Sequence, residues 1–303
     1  MKKIIFDGDP GIDDALAIML ALQSEEIQLI GITTVAGNVN VDRGTINALS
    51  LLEYLKIENI PVARGSEKPL YKELKTAEFV HGKDGLGNIN LPTPEIKPIS
   101  KSAADFLIKT IKKYPNEVTI VATGPLTNMA EILKIDHEIS NYILELIIMG
   151  GALKVPGNVT PVSEYNVWAD AEAAKIVLES DLPIILVPLD VTMSFTLTTT
   201  KISDIKTANT SISKLISRML PYYIDVHKKL GNIDGCYIHD ALAMAYTIDP
   251  TLFTTRMMGI EVIINKNKEY GKLIISKAKP PLKICLKVDF QRFLQFFIDQ
   301  MIK

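Results

Sequence analysis

The sequence predicts an α/β fold in which an open, mostly parallel sheet is flanked by helices. Three observations carry this. Short apolar runs such as Lys3 to Phe6, Val118 to Ala122 and Leu144 to Met149 have the composition of buried strands. Longer stretches with helical spacing alternate with them, so the order runs strand, helix, strand from the start. Turns rich in Gly and Asp close several strands at their carboxyl ends, where open α/β sheets bind ligands.

Taken in order, the strand Lys3 to Phe6 breaks into Asp7-Gly8-Asp9-Pro10-Gly11-Ile12-Asp13-Asp14, and Ala15 to Leu22 resumes as a helix. Ile27 to Val35 is the second strand, with Asn38 in its exit turn. Val41 to Leu55 is helical by the spacing of Leu51, Leu52 and Leu55, and Pro61 to Ala63 is a short strand. Residues 64–98 lose the rhythm and form a long excursion holding His81 among glycines, which favours a functional loop. Ser100 to Tyr114 is a helix capped by Ser100 or Ser102. Val118 to Ala122 leads into Thr123-Gly124-Pro125-Leu126-Thr127-Asn128 and a helix to about Ile135.

Leu144 to Met149 ends in Gly150-Gly151, and the following loop carries Asn158, Glu164 and Asn166. Trp168 is expected to pack. Ala169 to Glu179 is a helix, and Pro183 to Leu189 a strand that brings Asp190 to the same edge. Thr198 to Lys229 is helical throughout; Gly231 to Asp240 is a turn opening a helix through Ala245. Met257 to Ile264 and Leu273 to Ser276 form a terminal β pair, and Asp289 to Ile302 a closing helix. With no repeat, low-complexity tract or linker in 303 residues, a single domain over 1–303 is expected.

Composition bounds the function. With 33 basic against 35 acidic residues, the chain offers no electrostatic reason to bind nucleic acid or an anionic membrane. Cys236 and Cys285 have no paired spacing, which points to a reducing cytoplasm. No apolar run approaches the roughly 18 residues of a membrane span, and the stretch before Asp7 is too short for a signal peptide.

The acidic turn carries the chemistry. Two ionised carboxylates about 4 Å apart repel by roughly 4 kcal/mol at an effective dielectric near 20, so four in eight residues need positive charge among them. A helix N-terminus holds Asp13 or Asp14 but not all four. Ordinary solvated acids fit poorly, because a buried strand delivers Asp7 and Asp9 where water reaches little. A metal fits better, and oxygen ligands without Cys or His point to Ca2+ or Mg2+ rather than Zn2+. No Gly-x-Ser-x-Gly elbow, dinucleotide fingerprint or Walker loop competes. Of the four histidines, His81 and His239 lie in Gly-rich turns, while His137 and His227 are expected at the surface of helices.

The turn from Asp7 to Asp14 resembles the N-terminal signature of the inosine-uridine preferring nucleoside hydrolases. Further segments recur in family order: Val35-Ala36-Gly37-Asn38-Val39, Val80-His81-Gly82, Thr123 to Asn128, Ile148-Met149-Gly150-Gly151-Ala152, Glu164-Tyr165-Asn166 and His239-Asp240. The resemblance implies a Rossmann-like nucleoside hydrolase fold and Ca2+-dependent hydrolysis of the N-glycosidic bond of a small-molecule ribonucleoside. It implies metal ligation by Asp9, Asp14, Asp240 and the main-chain carbonyl of Thr123, with Asp9 deprotonating a water on the metal. Asp13 and Asn38 would hold the 2′- and 3′-hydroxyls; Asn158, Glu164 and Asn166 would reach the 5′-hydroxyl, and Met149 would line the pocket. Asp7 supports its neighbours, and His239, with His81 as partner, is the leaving-group acid. A homo-oligomer, dimer or tetramer, and a role in nucleoside salvage or catabolism also follow from the resemblance.

Two departures stand out: Ile12 replaces the His usual in relatives, and Val226 to Leu230 lacks the Gln and Tyr of pyrimidine-preferring ones. Base preference stays open. The competing readings are a haloacid dehalogenase-type phosphohydrolase, built on Asp7-x-Asp9, and a nucleoside or ribose binder that does not cleave.

Overall fold

A computed structural model describes residues 1–265 and 268–303. Its strands are β1 (Lys2–Gly8), β2 (Ile27–Thr34), β3 (Val62–Arg64), β4 (Val118–Ala122), β5 (Glu145–Met149), β6 (Ile184–Val187), β7 (Phe253–Val262), β8 (Leu273–Ile275) and β9 (Pro281–Val288). They form one sheet in the order β3-β2-β1-β4-β5-β6-β9-β7-β8. The first six strands and β9 run parallel, while β7 is antiparallel to both β9 and β8. The chain order reverses between β1 and β4, and Asp7 lies opposite Ala122 there. This opens a crevice at the carboxyl ends of those two strands.

The helices are α1 (Ile12–Gln23), α2 (Val41–Tyr54), α3 (Glu78–His81), α4 (Ala103–Lys113), α5 (Thr127–Ile135), α6 (Tyr165–Ala169), α7 (Ala171–Leu178), α8 (Leu189–Thr192), α9 (Thr199–Thr207), α10 (Ser211–Gly231), α11 (His239–Ile248) and α12 (Phe290–Ile302). Alternation along β1 splits the core in two. Ile4 and Phe6 face a cluster with α1, α11 and α12, whereas Ile5 faces another with α4, α5 and α7. Both faces are thus covered, as a parallel sheet requires.

The mostly parallel α/β fold expected from the sequence is the one observed, with three differences. The stretch Ala169 to Glu179 is not one helix: Asp170 leaves helical geometry and turns its side chain to cap α7 at Ala173 N. The helical run Thr198 to Lys229 divides at Asn209, which adopts a left-handed conformation that Asn tolerates. The third is β9, which lies between β6 and β7, so the terminal β pair is a three-stranded unit joined to the main sheet.

Candidate active site

Strand β1 and the first turn of α1 deliver Asp9, Asp13 and Asp14 to the crevice, and the first turn of α11 brings Asp240 from the opposite side. All four are buried. Asp14 is the most fully bonded: its Oδ2 accepts from Gly11 N at 2.9 Å and from Asn38 Nδ2 at 3.2 Å, and its Oδ1 accepts from Thr123 Oγ1 at 2.8 Å. Asp9 Oδ2 accepts from Asn38 N at 2.6 Å. A Cβ on Gly37 would fall 1.9 Å from that Asp9 oxygen, so the exit turn of β2 can close on the carboxylate only with glycine there.

These groups are held at electrostatic cost. Burial, then the charge of Asp14, pushes Asp13 up to about 8. Burial and neighbouring carboxylates push Asp9 and Asp240 well above their usual range. Asp9 Oδ1 and Asp13 Oδ1 are buried without a hydrogen-bond partner. Carboxylate oxygens of Asp13, Asp14 and Asp240 lie within 4.8 Å of one another. A group of buried acids with bare oxygens and no nitrogen or sulfur donor fits a hard divalent cation. Asp14 and Asp240, two of the three carboxylates expected as ligands, are in this cluster together with Asp13. Asp7 lies apart: its Oδ1 accepts from Thr33 Oγ1 and Asn128 Nδ2, joining β1, β2 and α5.

Above the carboxylates lies a cavity of 500 Å3 whose walls include Asn38, Met149, Asn158, Glu164 and Asn166. The Glu164 carboxylate caps α6 through Asn166 N and Val167 N and also accepts from Gly151 N. Asn166 Nδ2 donates to the main-chain oxygen of Thr123 at 2.6 Å and to that of Met149 at 3.2 Å. Asn158 Oδ1 accepts from Tyr165 N. The sequence motifs from β4, β5 and α6 are thus knitted into one wall.

The opposite wall is aromatic. His81, Tyr223, His227, Tyr237 and His239 form a chain of ring contacts with centroids 4.4 to 5.6 Å apart. His227 was expected at the helix surface; it instead lines the cavity, because α10 turns Tyr223 and His227 inward together. Their spacing of four residues was the available signal. Burial, then neighbouring histidines, lowers His81 and His239 to about 3, so both imidazoles are neutral at pH 7. An approach of 3.8 Å between His81 Nδ1 and Asp13 Oδ1 is therefore no ion pair. Exposed Phe79 and Leu230 form the cavity's apolar lip.

Trp168 borders a separate cavity, beside Tyr71 and Tyr270, with Lys72 Nζ 2.9 Å from its ring centroid. It is half-buried rather than part of the core.

The sequence profile of the inosine-uridine preferring nucleoside hydrolases matches residues 4–295. The chain belongs to that family. It is 38% identical to the probable uridine nucleosidase 2 of Arabidopsis thaliana, over all of this chain and 98% of the relative. It is 40% identical to the pyrimidine-specific ribonucleoside hydrolase RihA of Salmonella arizonae, over 98% of this chain and 97% of that one. A solved plant nucleoside hydrolase superposes with a TM-score of 0.97 at 35% identity, covering 99% of each chain. A purine-preferring ribonucleoside hydrolase from Gardnerella vaginalis gives 0.95 at 35% identity, covering 99% of this chain and 98% of that one. This nucleoside hydrolase therefore acts on ribonucleosides; its family is metal-dependent, and the chain carries a buried acidic cluster.

Proposed function

We propose that this hydrolase cleaves the N-glycosidic bond of ribonucleosides, uridine and inosine among them, to ribose and free base in a Ca2+-dependent reaction. The observation that carries the reading is a buried acidic cluster, with partnerless oxygens on Asp9 and Asp13, whose Asp13 and Asp240 line one cavity together with the neutral imidazoles of His81 and His239. Asp9, Asp14, Asp240 and the Thr123 carbonyl would hold Ca2+, with Asp13 beside them. When bound, the ion would acidify a water molecule and anchor the ribose diol. Among the described residues no helix is long and apolar enough to cross a membrane. A homo-oligomer and a place in nucleoside salvage or catabolism complete the proposal.

Each residue then has a task. Asp9 takes a proton from the attacking water, its Oδ1 being free to do so. Asp13 and Asn38 hold the ribose hydroxyls, while Asn158, Glu164 and Asn166 face its 5′ end. Carboxylates gathered around the sugar stabilise the cationic ribosyl group as the bond to the base lengthens. The base is left toward the aromatic wall, where His239, with His81 beside it, donates from a ring N-H to the departing anion. A neutral imidazole does this as a hydrogen-bond donor, which refines the general-acid role expected from an unperturbed histidine.

The phosphohydrolase reading has less support. Asp7 is turned away to Thr33 and Asn128, and no Lys or Arg among the described residues lines the cavity. Free base released from uridine and inosine, with and without Ca2+, is the test. No release from any ribonucleoside in the presence of Ca2+ would overturn the reading. Unchanged turnover by protein shown metal-free by elemental analysis would overturn its metal.

A further inference from the structure

Each of the three histidines on the aromatic wall has one ring nitrogen engaged, and the partner dictates the tautomer. Ile12 N is only a donor, so His81 Nδ1, 3.2 Å away, accepts and His81 carries its proton on Nε2. The main-chain oxygen of Tyr223 is only an acceptor, so His227 Nδ1, 2.9 Å away, holds the proton and Nε2 is bare. His239 Nδ1 lies 2.8 Å from Thr192 Oγ1, and a hydroxyl can play either part.

The surroundings of Thr192 decide between them. Its side chain is fully buried in α8, and its hydroxyl has no second hydrogen-bond partner among the described residues. Were Oγ1 to accept from Nδ1-H, its own hydrogen would be buried with nothing to bind. If Oγ1-H donates to Nδ1, every polar atom of the pair is satisfied.

We propose that Thr192 is a positioning residue: its hydroxyl donates to His239 Nδ1 and so holds the ring in the Nε2-H tautomer, keeping an N-H for the departing base. This deepens the role given above to His239 and rests on it. Two of the three histidines then offer N-H to the cavity and the third a lone pair, an arrangement read from hydrogen bonding alone. Without the hydroxyl, His239 is free to move its proton to Nδ1. The Nε2 lone pair would then meet the developing charge on the base, an unfavourable approach.

Thr192→Val removes the hydroxyl and keeps the shape. Expected is a 10- to 100-fold fall in kcat for uridine with its KM within threefold. A nitrophenyl riboside, whose leaving group is stable as an anion, should stay within twofold, and Thr192→Ser should recover most of the uridine rate. Full uridine turnover in Thr192→Val, or equal losses on both substrates, would overturn the proposal. Nitrogen NMR of labelled wild-type protein tests it without a variant: His239 should show a protonated Nε2 and a pyridine-like Nδ1, and the reverse pattern would overturn the assignment even if Thr192→Val fails to fold. His239→Ala separates this from the reading beneath it. Equal losses of uridine and nitrophenyl riboside hydrolysis there would remove His239 from leaving-group assistance and overturn both. A uridine-selective loss in His239→Ala with none in Thr192→Val overturns only the role of Thr192.

Discussion

Thr123 Oγ1 donates to Asp14 Oδ1 across 2.8 Å, tying the loop after β4 to the first turn of α1. It is a hydroxyl bonded to a buried carboxylate, so its removal leaves that oxygen without its donor. Thr123→Val should lower stability by about 1–3 kcal/mol, the cost of a buried acceptor left unpaired. Denaturant titration of Ca2+-depleted protein checks this, and a midpoint unchanged from wild type would show that water replaces the hydroxyl.

The buried acids also set a pH dependence. Asp13 is raised to about 8, so between its ordinary value and 8 the folded state binds more protons than the unfolded, and stability falls as pH rises. His81 and His239, lowered to about 3, and His227, lowered by burial, act oppositely while unfolded histidine titrates around its ordinary value near 6.5, an effect that fades above about pH 7.5. From about pH 7 to 8 is the window in which the raised carboxylates Asp9, Asp13 and Asp240 outweigh these histidines and Lys72, which burial lowers to about 8. Ca2+-depleted protein should lose thermal stability across it, and saturating Ca2+ should remove most of that slope by favouring the ionised acids. A flat or rising profile without metal would contradict the electrostatics.

Asp9→Asn should reduce turnover by roughly 10²- to 10⁴-fold, the range of a lost general base. The loss should be equal for uridine and a nitrophenyl riboside, because Asp9 acts on the water side of the sugar. Steady-state kinetics on both substrates decides. Near-wild-type rates would mean that the water is activated elsewhere.

Asp170 accepts from Leu70 N, Thr127 Oγ1 and Ala173 N, all at 2.8 to 3.0 Å. It caps α7 while holding the excursion that precedes α3. Asp170→Ala should cost several kcal/mol in a denaturant titration, since two buried donors and the half-buried Leu70 N lose their acceptor together. It should also make the peptide bonds around Leu70 more sensitive to limited proteolysis. A loss below about 0.5 kcal/mol would show that the excursion is held by other contacts.

Much of this was legible in the chain. Buried strands, acidic turn and alternating helices follow from local composition, and β1, β2, β4, β5 and β6 lie within a few residues of expectation. What was not legible depends on partners far apart in sequence. Asp170 reads as one acid in a helix until Leu70 and Thr127 arrive beside it. His227 reads as a surface residue because spacing shows which residues share a helix face, not what that face meets. For β9, alternation of Leu282, Ile284 and Leu286 with Lys283 and Lys287 is a strand signal, weakened by Pro280 and Pro281 at its start. Its position between two other strands is a tertiary choice. Thr192 carries no sequence motif at all and gains its role only through the fold.

The position of β9 has a consequence for synthesis on the ribosome. β6 pairs with β9 through Ile185 and Leu186, opposite Lys283 and Ile284. Until residues 281–288 have left the exit tunnel, the part of the sheet already made ends at β6 with its apolar outer edge unpaired. Translation runs at about 5–20 residues per second, so the roughly 95 residues between β6 and β9 leave that edge bare for about 5 to 20 seconds. During that interval the nascent chain exposes the kind of strand border that templates pairing between molecules. Chaperone demand in this hydrolase should therefore peak late in elongation, when the acidic crevice between β1 and β4 can already be formed but its sheet is not yet closed.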